Sequence, residues 1–234
     1  MTKHDSWQTN HAETITSFIK HLNEITDKYV LKGGTALTIC YSMDRFSEDI
    51  DLDCTIGGIE EIVDRFCKNN GFTFRIAKDT ATVKRYMINY GNAGKPLKIE
   101  ISFRKKFISP EDVTQIGGIT VYKIDSLCIM KANAYASRDK IRDLHDLVFI
   151  CNKYWDELPV HVKSVVRNAV EFKGIEQFDY LLKDQQDELI DKDRLAGDFL
   201  DMYDKLGLLY DEWERQIITE TYEISKPDMD IRMQ

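Results

Sequence analysis

The segment Asp49-Ile50-Asp51-Leu52-Asp53-Cys54 alternates polar and apolar residues with period two, the pattern of a β-strand. Successive side chains on a strand point to opposite faces, so Asp49 and Asp51 project together while Ile50 and Leu52 turn toward a core. Two neighbouring carboxylates repel, and the pairing is costly unless a cation lies between them. Mg²⁺ (or Mn²⁺) suits that place, because it takes oxygen ligands and usually keeps waters and phosphate oxygens in its shell. By itself the same pattern also describes a solvent-facing acidic edge strand. Asp53 extends the row and reads as a solvated strand end.

What precedes this strand sharpens the expectation. Tyr29-Val30-Leu31 reads as a short strand and Thr35 to Met43 as a short helix, with Gly33-Gly34 between them. A diglycine there lets backbone N–H groups approach a phosphate with no Cβ in the way. The helix adds N-terminal donors and the positive end of its dipole. A third carboxylate lies on the polar face of the strand-like run Leu97 to Phe103, at Glu100. Two aspartates on one strand and an acid on a neighbour can hold two metals about 4 Å apart. Glu100 also reads as the partner of a cross-strand lysine such as Lys84.

Elsewhere the chain divides by texture. Before residue 124, helical stripes (Asn10 to Lys28, Glu60 to Asn69) alternate with strand-like runs (Phe72 to Ala77, Thr82 to Tyr90). Asn70-Gly71 reads as a C-cap, the stretch from Gly91 to Pro96 as a hairpin-like turn, and Thr120-Val121-Tyr122 as a short edge strand. After residue 124, Leu127 to Ser137, Leu144 to Tyr154, Val160 to Phe172, Phe178 to Ile190, Leu195 to Leu206 and Tyr210 to Tyr222 all read as helices. The expected architecture is α+β: a mixed sheet with flanking helices over residues 1–124, then a helical domain over 125–234. Trp155, Tyr180, Tyr203 and Trp213 fall within helical stripes, where core packing accounts for them.

Composition narrows the class. A chain of 234 residues with 43% hydrophobic and 31% charged residues is ordinary for a globular protein. No apolar run approaches the roughly 20 residues that span a bilayer, and the N-terminus lacks the apolar core of a secretory signal. The five cysteines are odd in number and form no C-x-x-C, which suggests reduced thiols and a cytoplasmic setting. The net charge of −8 conceals a basic middle, with nine basic and two acidic residues from Arg75 to Lys106. It also conceals an acidic stretch, with twelve acidic and four basic residues from Asp179 to Glu214. An acceptor bearing phosphates can use the first and avoid the second. The second reads as a charged helix surface or as a docking face for a basic partner. Walker-type, H-E-x-x-H and G-x-S-x-G motifs are absent, and the histidines show no ligand spacing; His145 reads as a helix-surface residue.

The order Gly33-Gly34-Thr35-Ala36-Leu37, then Arg45-x-Ser47-x-Asp49-Ile50-Asp51-Leu52, resembles the nucleotidyltransferase superfamily, whose pattern is a Gly-Gly/Ser turn followed by hDhDh. More narrowly the chain is similar to the AbiEii/AbiGii toxin family of phage-defence and toxin–antitoxin systems. Met130-Lys131 and the box from Arg138 through Asp143-Leu144-His145-Asp146-Leu147 match that family's helix lysine and R-D-L-x-D-L motif. The resemblance runs from Tyr29 to Phe149; beyond Cys151 only a helical region is legible.

The resemblance implies that Gly33, Gly34, Thr35 and Ser47 contact a nucleoside triphosphate and that Asp49 and Asp51 ligate metal, with Glu100 a less uniform third ligand. It implies that Lys131 reaches a phosphate or the nucleotide and that Asp143 or Asp146 shapes the site, giving Asp49, Asp51, Lys131 and Asp146 as catalytic candidates. Read from the residues alone, Asp143 and Asp146 could instead cap a helix beginning at Leu144. Lys131, Arg138 and Arg142, at helical spacings, could form one cationic face toward a triphosphate or a solvated surface. The implied reaction moves a nucleotide from an NTP to an acceptor hydroxyl, on RNA (a tRNA 3′ end among the candidates) or on protein. A cognate antitoxin is the implied partner. A small-molecule nucleotidyltransferase, a kinase-like phosphotransferase and a non-catalytic nucleotide-binding interaction protein share the same motifs.

Overall fold

The computed structural model describes residues 3–91 and 95–209. Its centre is a seven-stranded mixed sheet. The strands are β1 (Tyr29–Lys32), β2 (Asp49–Cys54), β3 (Thr73–Asp79), β4 (Val83–Asn89), β5 (Leu97–Ser102), β6 (Val113–Ile116) and β7 (Ile119–Tyr122). Their order is β3-β4-β5-β2-β1-β7-β6. β2 runs antiparallel to β1 and parallel to β5, so the D-x-D strand is flanked on both edges.

The register sorts side chains by face. Ile50, Leu52, Tyr86, Ile88, Ile99 and Ile101 are fully buried, and they share one hydrophobic cluster with Phe18 and Leu22 of α1 (Lys3–Ile25) and Val63 and Phe66 of α3 (Glu60–Asn70). Helix α3 ends where Gly71, at φ 69°, takes the left-handed conformation a C-cap requires, and its N–H returns to the Cys67 and Lys68 carbonyls. The opposite face carries Asp49, Asp51, Lys98, Glu100, Arg85, Met87 and Arg75, aligned across β2, β5, β4 and β3.

Helix α2 (Gly33–Tyr41) joins β1 to the loop before β2. After β7 the described chain is helical: α4 (Ile124–Ser137), α5 (Ile141–Tyr154), α6 (Val160–Asp184) and α7 (Lys192–Lys205), with short 3₁₀ turns. The same buried cluster continues through Leu127, Leu144, Val166 and Phe199, so the sheet and these helices share one core. Tyr154 Oη donates to the Tyr41 carbonyl at 2.9 Å, and Tyr41 Oη to that of Tyr122 at 2.8 Å, tying α5 through α2 to β7.

Several expectations are corrected. Thr120-Val121-Tyr122 is not an edge: β7 lies between β1 and β6, and β6 is the strand that pattern reading missed. Val113 to Ile116 is too short to show alternation, but Gly117-Gly118 (φ 58° and 81°) between β-branched runs is the signature of a two-residue hairpin. The helices expected from Val160 and from Phe178 form one run kinked at Gly174 (φ 71°, ψ 171°), which ends at Asp184 instead of Ile190. Of the aromatic residues, Tyr203 is buried and Trp155 packs against the core, whereas Tyr180 is 50% exposed on the outer side of the kinked helix. The helix expected from Tyr210 to Tyr222, Trp213 within it, and the centre of the 91–96 turn lie outside the described residues. Among the described residues no helix is long and apolar enough to cross a membrane.

Candidate active site

β1 ends at Lys32, whose Cα partner across the antiparallel ladder is Asp51. The chain turns there through Gly33 at φ 74°, a conformation that favours glycine, and enters α2. A Cβ on Gly33 would lie 2.9 Å from Asp51 Oδ2. One on Gly34 would lie 2.6 Å from Arg45 Nη2 and 3.1 Å from Ser47 Oγ. Both glycines therefore admit the later motif at backbone contact distance, where any larger side chain would push it away. Thr35 Oγ1 fixes that motif from the helix side, donating to the Asp49 carbonyl and accepting from Ser47 Oγ at 2.8 Å.

The parallel register places Lys98 beside Asp49 and Glu100 beside Asp51. Lys98 Nζ lies 2.6 Å from Asp49 Oδ2. Glu100 is held by Arg85, whose Nε and Nη2 donate to Oε2 at 2.8 and 2.5 Å. Arg85, not Lys84, is the partner, because the ladder pairs residue 85 with 100; Lys84 points to the other face and binds Glu60 at 2.9 Å. Asp51 makes no hydrogen bond or ion pair with a described side chain. Burial pushes its carboxyl above the usual range, Asp49 and Glu100 add to the rise, and Lys98 and Lys32 offset part of it.

Asp53 is not a solvated strand end: it is 2% exposed, accepts a 3.0 Å hydrogen bond from Tyr122 Oη and pairs with Lys32. The reason is position: β2 has neighbours on both edges, and Lys32 of β1 and Tyr122 of β7 close over the carboxylate.

The residues fit a hard divalent cation in one respect: an unpartnered, largely buried carboxylate stands beside a second and across from a third, all oxygen donors. Among the described residues, no three His, Cys, Asp or Glu side chains form a ready-made cage. A pair of aspartates suits a cation that completes its shell with water and phosphate oxygens.

Behind Gly34 lies a buried charge network. Asp146, 0% exposed, receives Arg45 through Nε at 3.0 Å and Nη2 at 2.8 and 3.1 Å. Lys131 Nζ lies 2.6 Å from Asp146 Oδ2 and 3.4 Å from Asp143 Oδ1. Arg138 clasps Asp143 with Nε at 2.6 Å and Nη2 at 3.0 Å. Burial alone would raise the Asp146 carboxyl; Lys131, His145 and Arg45 outweigh it and hold the group well below the usual carboxylate range. The helix-cap alternative for these aspartates is overturned. α5 starts at Ile141, its N-cap Lys140 makes no side-chain cap, and both aspartates turn inward to cations. His145 is half-buried, with Nδ1 3.5 Å from Asp146 Oδ1.

Lys131, Arg138 and Arg142 do not share one helical face, because α4 ends at Ser137 and α5 begins at Ile141. Lys131 and Arg138 nevertheless converge on Asp143, while Arg142 reaches Glu48 Oε2 at 3.1 Å and binds Asp187 beyond α6. Glu48 also binds Lys95 at 2.5 Å, and its carbonyl accepts from His11 Nε2 at 2.7 Å. Burial would raise the Glu48 carboxyl, but Lys95 and Arg142 together lower it. The residue next to Asp49 is thus gripped from α1, from the β4–β5 connection and from α5.

Four residues here carried no role in the sequence reading: Arg45, Lys98, Arg85 and Lys32. For Lys98 and Arg85 the signal was alternation within strands already recognised, needing only the cross-strand register. For Arg45, within R-x-S-x-D-I-D, nothing local signals a partner on a distant helix.

A family profile described as "Nucleotidyl transferase AbiEii toxin, Type IV TA system" matches residues 18–219, extending the likeness well past Cys151. Among solved structures, the chain is similar to JHP933 from Helicobacter pylori, with 27% identity, a TM-score of 0.71, and coverage of 94% of this chain and 99% of that one. It is also similar to a candidate nucleotidyltransferase from H. pylori, with 28% identity, a TM-score of 0.71, and coverage of 90% and 98%. No curated protein matches the sequence. With its diglycine bend, paired aspartates and later R-D-L-H-D-L box in one fold, the chain belongs to the AbiEii family of nucleotidyltransferase toxins of type IV toxin–antitoxin systems.

Proposed function

We propose that this chain transfers a nucleoside monophosphate from an NTP to an acceptor hydroxyl in a Mg²⁺- or Mn²⁺-dependent reaction that releases pyrophosphate. The observation that carries the reading is Asp51: a largely buried carboxylate without a partner among the described residues, at contact distance from the bend at Gly33. Asp49 and Asp51 would hold the cation, with Glu100 joining when it leaves Arg85. When bound, the cation supplies Lewis-acid neutralisation of phosphate charge.

The remaining work belongs to the chain. Gly33, Gly34 and the start of α2 offer backbone N–H groups to the triphosphate, and Thr35 orients Ser47 toward the same place. Lys131 and Arg45 set a positive potential behind the bend, where charge accumulates on the departing pyrophosphate. Asp146 and Asp143 position these cations.

RNA is the favoured acceptor. Arg75, Lys78, Arg85 and Lys98 lie on the sheet face of Asp49 and Asp51 and lead from the β3 margin to them. A shallow pocket of about 440 Å³ lined by Arg75, Met87, Asn89 and Lys95 lies along that path. Stacking and backbone charge are what single-stranded RNA requires. A cognate antitoxin would restrain the toxin, and the five free cysteines suit a reducing cytoplasm.

The test incubates the protein with Mg²⁺, each α-labelled NTP and either total RNA or total protein. Label in RNA with pyrophosphate release, lost in Asp51→Asn, is the expected result. Label in protein or in a small acceptor reassigns the substrate, and release of NDP reassigns the reaction to phosphoryl transfer. Wild type and Asp51→Asn behaving alike with every NTP overturns the enzymatic reading.

A further inference from the structure

The four carboxylates on the open face of the sheet differ in how they are neutralised. Glu100 takes two nitrogens from Arg85, and Asp53 is buried against Lys32 and Tyr122. Among the described residues Asp51 has no partner and Asp49 is met only by Lys98, through one 2.6 Å contact from a side chain that is 29% exposed. Lys98 stands directly across the ladder from Asp49, one position before the isoleucine that precedes Glu100. An ammonium there lowers the repulsion between Asp49 and Asp51, which is what a divalent cation would do from the same side. A lysine suits a replaceable counterion, being a compact charge on a flexible stem with no fixed fork geometry.

We infer that Lys98 is a built-in counterion of Asp49 that a divalent cation displaces when it binds. The inference rests on the cation site proposed above. Once displaced, Lys98 remains on the same face at the same strand position, within reach of whatever phosphate accompanies the cation. Its charge therefore acts in opposite directions on the two ligands: it competes with the cation and attracts the nucleotide. The lysine offsets the repulsion within the aspartate pair and disfavours stray cations, and it couples cation loading to nucleotide loading.

The opposed signs make the test specific. Mn²⁺ binding without nucleotide is followed by electron paramagnetic resonance for wild type, Lys98→Gln, Lys98→Arg and Asp51→Asn, and nucleotide KM is measured at saturating Mn²⁺. Removing one positive charge beside the site should tighten Mn²⁺ binding about tenfold in Lys98→Gln and raise the nucleotide KM about tenfold, the scale of one charge pair about 4 Å apart at a dielectric close to that of water. Lys98→Arg should stay within about threefold of wild type in both. Lys98→Met, which keeps the aliphatic stem, replaces Lys98→Gln if the latter unfolds. Mn²⁺ affinity unchanged or weakened in Lys98→Gln, with binding lost in Asp51→Asn, overturns the counterion role alone. Absence of Mn²⁺ binding by wild type, or equal binding by Asp51→Asn, removes the cation site and the inference with it.

Discussion

Arg45 and Asp146 are 101 residues apart in the chain and meet through three hydrogen bonds of 2.8 to 3.1 Å, with Arg45 only 3% exposed. Arg45 belongs to the R-x-S-x-D-I-D-L segment and Asp146 to the later R-D-L-H-D-L box. Their pairing fixes the loop that carries Ser47 and Asp49 onto α5. Removing one member leaves buried charge uncompensated. Asp146→Asn should therefore lose about 3–5 kcal/mol of stability, measured by urea unfolding. A loss below about 1 kcal/mol would show that water enters and solvates the cations.

The same pair dictates an acid response. The Asp146 carboxyl is depressed in the folded protein, so its contribution to stability is complete above the unfolded carboxylate value of roughly 3.9 and declines as pH falls below it. The wild type should lose stability steeply below about pH 4, and Asp146→Asn should show a flatter acid limb. Parallel curves for the two proteins would assign the acid response to other groups.

Gly33 adopts φ 74°, and a methyl group there would meet Asp51 Oδ2 at 2.9 Å. Gly33→Ala should cost about 1–2 kcal/mol for the backbone and reduce nucleotide transfer by about a hundredfold, on the order of the loss a 1 Å misplacement can cause. The measurements are thermal melting and initial rates with labelled NTP. Full activity in Gly33→Ala would separate the bend from catalysis.

Burial raises the proton affinity of Asp51 above that of an ordinary carboxylate, which means its charge opposes folding at neutral pH. Asp51→Asn should melt about 2–4 °C higher in EDTA, the shift that ~1 kcal/mol produces in a chain of this size, while losing transfer altogether. Activity and stability should thus move in opposite directions at one position. A lower melting temperature in EDTA would mean that the charge is compensated in the folded protein.

Arg142 links Glu48 to Asp187, joining the residue beside Asp49 to the connection after α6. Its side chain is partly exposed, so Arg142→Ala should cost only about 1 kcal/mol. The larger effect should be on turnover, reduced about tenfold by a looser Asp49. Glu48→Ala and the double variant should give nearly the same rate as Arg142→Ala if the two act as one unit. Additive losses would mean that Arg142 acts through some other contact.

Much of this was legible in the sequence because the relevant information is local. Period-two alternation set the bounds of β2 and sent Ile50 and Leu52 to the core and Asp49 to the other face; the diglycine marked the bend, and Gly71 marked the end of α3. What escaped depends on pairing between segments. Asp53 looked like a solvated end because nothing in D-I-D-L-D-C says that Tyr122 and Lys32 close over it. A cap role for Asp143 and Asp146 stayed open because a sequence does not show that the helix begins earlier and that its acids meet Arg45, Lys131 and Arg138. The lysine offered as an alternative partner for Glu100 was off by one position, and in a sheet one position is the difference between faces.

The outermost strand β3 has exposed Arg75, Lys78 and Asp79 along it, and its ladder to β4 is broken by a bulge between Ile76 and Lys78. Charge and irregularity at a margin deny a second chain the flat template it would need to add a strand. The sheet can therefore stay open on that flank without inviting self-association.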